Sequence, residues 1–214
     1  MIVSKVKDLQ GLLERLSSYS RLFLLGCGEC ATICNSGSEE ALLHYKEFFE
    51  KRGKVVVGWD VPEIGCNEGS LKKSLALNRK FIKESEAIVV FSCGLGVGLL
   101  RRIEFLNKPL ISGTDTLFAG ITTSQGFFEN CRLCGNCYLN ETLGFCPQAL
   151  CPKGMLNGPC GGVKERMCEV YPNRECVWIL IFESAQKNAR IEILKEINPP
   201  RDHSLTTPPQ ELKI

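Results

Sequence analysis

Five cysteines lie between residues 27 and 93 and eight more between residues 131 and 176, thirteen in a chain of 214. This excess constrains the fold more than any other feature, because each thiol must be paired, ligated or buried. An all-disulfide scheme leaves one thiol over, since the count is odd. It also requires an oxidising compartment. The opening MIVSKVKDLQGLLERL lacks the basic, apolar and small-residue layout of a secretory signal. The expectation is a cytoplasmic protein whose clustered thiols hold metal. A net charge of +2 without a basic run argues against a nucleic-acid partner. The most apolar stretch, residues 87–100, holds three glycines and is too short for a membrane span.

The first half alternates strand and helix patterns. Val6, Leu9, Leu12, Leu13 and Leu16 recur at helical spacing and predict a helix over residues 4–17. Apolar runs predict strands at Leu22–Leu25, Lys54–Trp59, Ala87–Ser92 and Pro109–Ser112. Between them, Ser36 or Ser38 is placed to cap a helix ending near Lys51, before Gly53. Ser70 is placed to cap the next one, and Gly94–Gly98 reads as a glycine-rich turn. Uniformly apolar strands separated by helices imply a parallel sheet covered on both faces. The fold class expected is α/β, a small parallel-sheet, Rossmann-like three-layer domain followed by a cysteine-rich, irregular, metal-stapled domain. The expected boundaries are 1–125, 126–195 and an extended tail over 196–214.

In such a sheet Cys27, Cys66 and Cys93 each follow a strand and so share the C-terminal edge, where these folds place ligands. Cys30 and Cys34 extend the first of those loops. Soft thiolates in fours select an iron–sulfur cluster or zinc. The spacing leaves open which four of the five ligate. Cys27, Cys30, Cys34 and Cys93 are favoured, with Cys66 as the substitute. A nucleotide site is the rival reading, but neither glycine-rich turn has the G-x-G-x-x-G form.

Residues 131–176 carry eight cysteines, many glycines and few periodic apolar segments, so bound metal is expected to staple them. Cys131, Cys134 and Cys137 have the C-x2-C-x2-C spacing of ferredoxin-type sites. Cys146 or Cys151, each followed by proline, can supply the fourth ligand. Cys160, Cys168 and Cys176 remain to complete a second site. The two histidines, His44 and His203, offer neither a Cys2His2 zinc site nor an evident base for a cysteine nucleophile. Beyond Cys176 an apolar run predicts a closing helix to about Leu194, with Trp178 and Phe182 on one face.

The runs Cys131-Arg-Leu-Cys134-Gly-Asn-Cys137-Tyr-Leu, Cys146-Pro147, Cys151-Pro-Lys-Gly-Met-Leu-Asn-Gly-Pro-Cys160-Gly-Gly, Cys168-Glu-Val and Cys176-Val-Trp are long and unusual. With them, the stretch 131–182 resembles the cysteine-rich C-terminal family of methylenetetrahydrofolate reductase. Gly26-Cys-Gly-Glu-Cys-Ala-Thr-Ile-Cys34, Cys66 and Cys93-Gly-Leu-Gly-Val extend the resemblance to that family's accessory-subunit form. Gly98 departs from it, standing where a glutamine is expected. The resemblance implies an iron–sulfur subunit without catalytic residues of its own. Its partner would be a flavin-binding barrel subunit of the reductase, with further redox subunits, in the reductive acetyl-CoA pathway. It implies a [4Fe–4S] cluster in the first domain and one or two metal sites in the second, where zinc is the alternative. Two other readings stand beside it: a zinc-stapled scaffold without an electron-transfer role, and an independent redox enzyme.

Overall fold

The β-branched residues Ile2, Val3 and Val6 favour an extended start, and Asp8 then caps a helix by accepting the Gly11 N–H at 2.7 Å. The computed structural model, which describes residues 1–214 except 105, 207–209, 211, 213 and 214, therefore opens with β1 (Ile2–Val6) and α1 (Leu9–Arg15). The single helix predicted over 4–17 is thus a strand followed by a shorter helix. The chain divides into two compact units, Met1–Phe118 and Ala119–Ile214.

In the first unit the order continues as β2 (Arg21–Leu25), α2 (Cys30–Ile33), α3 (Glu39–Glu50) and β3 (Val55–Asp60). It ends with α4 (Glu68–Leu77), α5 (Arg79–Glu84), β4 (Ala87–Val90), α6 (Gly94–Arg101) and β5 (Leu110–Ser112). Ser38 caps α3 through the Ala41 N–H at 3.2 Å. Gly53 ends the turn beyond it at φ +82°, a conformation that favours glycine. Two local expectations need correction. Asn67, not Ser70, caps α4: its side-chain oxygen accepts the Ser70 N–H at 3.0 Å, while the Ser70 hydroxyl accepts the Ile64 N–H. The glycine-rich run after β4 is the helix α6, where Gly96 packs too closely against Ser92 and Gly65 to leave room for a Cβ.

The four strands β2–β5 form a parallel sheet in the order β3-β2-β4-β5. Alternating residues feed two cores, as the pleat requires. Leu22, Leu24, Val89 and Phe91 bury against Leu12, Leu16, Leu42 and Phe49. Phe23, Leu25, Ile88 and Val90 bury against Leu71, Leu75, Ile82 and Leu100. The parallel three-layer reading of this unit holds.

A hairpin that the sequence pattern did not reveal follows: β6 (Thr114–Thr123) and β7 (Gly126–Cys131), antiparallel, turning at Gly126 with φ +130°. With β1 these strands form a second sheet in the order β1-β6-β7. The alternation in β6 is weak, with Thr and Asp between its few apolar residues, so it reads as loop. The second unit adds α7 (Pro147–Leu150) and α8 (Val177–Lys187), then 3-10 turns at Ile191–Lys195 and His203–Thr206. Its apolar core is small, centred on Val177, Trp178 and Ile181. Trp178 is buried, but Phe182 is 44% exposed, so the pair does not share one buried face. The predicted closing helix stops at Lys187. Part of the expected extended tail, 207–209, 211, 213 and 214, lies outside the described residues. Among the described residues no helix is long and apolar enough to cross a membrane.

Two outcomes test this packing. A Cβ on Gly37 would overlap the Phe91 carbonyl oxygen, so Gly37→Ala should lower unfolding stability by about 3 kcal/mol in denaturant titration. Tyr45 stacks on Phe91 with ring centroids 4.3 Å apart, and burial pushes its phenol above the usual 10.0. The unfolded chain therefore loses this proton first. Stability should hold below about pH 10 and fall as pH rises from there. Tyr45→Phe should flatten that alkaline decline in pH-resolved melts.

Candidate metal centres

In the first unit, β2 runs into Cys27, β3 leads to Cys66, and β4 leads to Cys93. The order β3-β2-β4 sets these three loops side by side at the C-terminal edge, and strand order reverses between β2 and β4. Backbone hydrogen bonds knit the loops together. Gly26 N–H donates to Asp60 O at 2.9 Å, Gly28 N–H to Pro62 O at 2.8 Å, and Cys27 N–H to Gly37 O at 3.1 Å. Gly26, Gly28 and Gly37 stand where a Cβ would collide with neighbouring backbone, so these loops approach as closely as the chain allows.

Sulfur atoms face backbone donors at this edge. Gly65 N–H donates to Cys27 Sγ and Ile2 N–H to Cys30 Sγ, each at 3.4 Å. Cys27 and Cys93 are buried, Cys30 and Cys34 are half-buried, and Cys66 is exposed. Loss of hydration still pushes the Cys66 thiol up, followed by the negative charges of Cys93, Cys27 and, more weakly, Cys30. Cys34 follows α2, where Asn35 at φ +51° turns the chain back so that Ser36 and Gly37 N–H both donate to Ala31 O.

In the second unit α7 separates the cysteines, with Cys146 capping its N-terminus and Cys151 its C-terminus. It packs against β7, whose last residue is Cys131, and against α8, capped by Cys176. Cys131 Sγ accepts the Leu133 N–H at 3.3 Å. Leu133 and Gly135 take left-handed φ values of +52° and +71°, which wind the Cys131–Cys137 loop tightly. Arg201 fastens that loop from outside, its Nη2 donating to Asn136 O at 3.0 Å and to Cys134 O at 3.4 Å.

Beyond α7, Cys151, Cys160, Cys168 and Cys176 line one cavity of about 20 Å³, together with Glu169 and Trp178. Short bridges Lys164–Met167 and Met167–Glu175 fold the intervening chain, and Cys176 N–H donates to Arg166 O at 2.8 Å. The Arg166 guanidinium pairs with Glu175 and Glu183 and ties that turn to α8. Cys160 is held below the usual thiol range, first by the Gly162 N–H and then by the Lys153 ammonium. Its Sγ donates to Glu169 Oε1 at 3.3 Å.

Residues 111–204 match the family model described as methylene-tetrahydrofolate reductase C terminal. The match takes in all eight cysteines of the second unit and stops short of the five in the first. It points to association with that reductase. Neither a curated protein nor a solved structure matches the chain.

Among the described residues no three His, Cys, Asp or Glu side chains stand grouped as a ready ion site. The donor chemistry nonetheless fits a thiolate-bound metal group. All thirteen thiols are free, and three receive backbone N–H groups on sulfur. Sequence reasoning did not find Ile2, Gly65 or Arg201, which act through backbone atoms or from the tail. Gly65 had one usable signal, a glycine directly before a cysteine at a strand end.

Arg201→Ala should raise hydrogen exchange at the 134–138 amides about tenfold, the loss of about 1.4 kcal/mol expected for a charge-assisted bond. Exchange in α8 should not change. Unaltered exchange at 134–138 would show that the tail does not hold the loop.

Proposed function

We propose that this chain is an iron–sulfur electron-transfer subunit, exchanging electrons with the flavin-containing catalytic subunit of a methylenetetrahydrofolate reductase. The carrying observation is the division of the eight cysteines in the reductase-related region by α7. Cys131, Cys134, Cys137 and Cys146 precede it in the chain, from the end of β7 to its N-cap, and Cys151, Cys160, Cys168 and Cys176 line one cavity after it. The five thiols at the sheet edge of the first unit, Cys27, Cys30, Cys34, Cys66 and Cys93, supply a further site.

Cysteine-bound [4Fe–4S] clusters supply one-electron transfer when present. The chain's own residues prepare for that in three ways. Thiolates provide the soft ligands. N–H groups of Ile2, Gly65 and Leu133 bond to sulfur and so spread the negative charge of a thiolate. Burial of Cys27 and Cys93 keeps water from part of the site. Their distribution over both units supplies more than one electron stop.

A second reading is favoured by one observation. The cavity among Cys151, Cys160, Cys168 and Cys176 measures about 20 Å³. That is room for a single ion rather than for a cube of eight atoms, and four thiolates around one ion describe a structural zinc site. Taken alone, that site makes a scaffold.

Iron, acid-labile sulfide and zinc per chain, measured on anaerobically prepared protein with spectra before and after dithionite, separate the readings. About eight irons with matching sulfide and a bleachable spectrum are expected, with zinc confined to the cavity site. Zinc alone in a colourless protein would overturn electron transfer and leave the scaffold.

A further inference from the structure

We infer that Cys27, Cys30, Cys66 and Cys93 are the four ligands of the metal site in the first unit, and that Cys34, which spacing favours, is the thiol left out. The inference rests on the proposed function for the nature of the metal, but the ligand set follows from placement.

Gly65, the residue before Cys66, sits against both neighbouring loops. On one side, the Gly65 N–H reaches Cys27 Sγ at 3.4 Å. A Cβ built on Gly65 would lie 3.2 Å from Cys27 Cβ and 3.3 Å from its Sγ. On the other side, the Gly65 carbonyl oxygen is 3.2 Å from a Cβ built on Gly96, in the first turn of α6. Cys93 caps that same turn. Three loops from three adjacent strands thus meet closely, and each carries one thiol.

Cys30 adds the fourth from the first residues of α2, and its Sγ takes the Ile2 N–H. Cys34 sits past the far end of α2, where the chain reverses at Asn35. Among the described residues no backbone N–H bonds to its sulfur.

The assignment also gives the site a direction. Cys27 and Cys93 are buried and Cys66 is exposed, so the solvent-facing corner lies at Cys66. Leu95, 58% exposed in the first turn of α6 just after Cys93, flanks the same edge. A redox partner would approach there most closely.

Cys34→Ala and Cys66→Ala in the full chain, prepared anaerobically, decide the matter through metal content, sulfide and the EPR spectrum after dithionite. Cys34→Ala should keep the wild-type iron and every EPR component. Cys66→Ala should lose about four irons and one component, with the signals from the second unit unchanged. Loss of iron in Cys34→Ala, or full retention in Cys66→Ala, would overturn the ligand set. If Cys66→Ala fails to fold, as judged by circular dichroism, Cys34→Ala still decides, because metal loss there contradicts the assignment. A wild-type chain carrying zinc and no iron would overturn the electron-transfer reading instead. The same two variants, scored for zinc, would then test the ligands. A first unit without any metal would overturn both.

Discussion

Close backbone contact among the loops that follow β2, β3 and β4 is the constraint on which the first unit depends. Gly26, Gly28, Gly37 and Gly65 bring main chain against main chain or against a cysteine, and a Cβ at the first three would collide with a neighbouring carbonyl oxygen. The hydrogen bonds from Gly26 to Asp60, from Gly28 to Pro62 and from Cys27 to Gly37 lock that approach. Beneath them, the parallel sheet is buried on both faces, which fixes the strand ends firmly enough to hold thiols in place. The thiol edge is therefore a product of core packing as much as of the cysteines themselves.

The second unit follows a different logic. Its core reduces to Val177, Trp178 and Ile181 with a few partly buried neighbours. Left-handed residues and glycines wind the rest into tight loops: Leu133, Gly135, Leu143, Gly144, Glu165 and Arg166. Such backbone costs free energy and needs support from outside the loop. Part of that support is polar. Arg201 clasps the Cys134 and Asn136 carbonyls, Arg166 bridges Glu175 and Glu183, and the Asn157 side-chain amide donates to the Asn198 carbonyl and accepts its N–H. Thiolate ligation would supply the remainder under the proposed function. The short helix α7, with a cysteine at each end, divides the thiols because a single helical turn points its two ends in opposite directions.

Cysteines recur at helix N-termini in both units. Cys30 opens α2, while Cys93, Cys146 and Cys176 cap α6, α7 and α8. Helix N-termini present unsatisfied N–H groups and the positive end of the helix dipole. This placement suits anionic ligands in a way that a scatter of buried structural cysteines would not. The weakness of α2 and α7, four residues each, limits the dipole contribution at Cys30 and Cys146, so hydrogen bonds to sulfur matter more at such positions.

The sequence by itself determined the parallel sheet, the strand-end positions of Cys27, Cys66 and Cys93, and the caps at Ser38 and Gly53. Each of these follows from local residue chemistry: uniform apolar runs, a hydroxyl before acidic residues, a glycine at positive φ. Local pattern failed where tertiary contacts decide. Ile2–Val6 reads as helix but pairs in a sheet, and Gly94–Gly98 reads as a turn but packs as a helix against Gly65 and Ser92. The β6–β7 hairpin escaped notice because its alternation is weak. The sequence favoured Cys34 over Cys66, yet four residues and thirty-six residues from Cys30 are equally admissible along a chain. Only the fold shows that Gly65 carries Cys66 into contact with the loop of Cys27 and the first turn of α6, because strand order, not sequence distance, sets which thiols can meet.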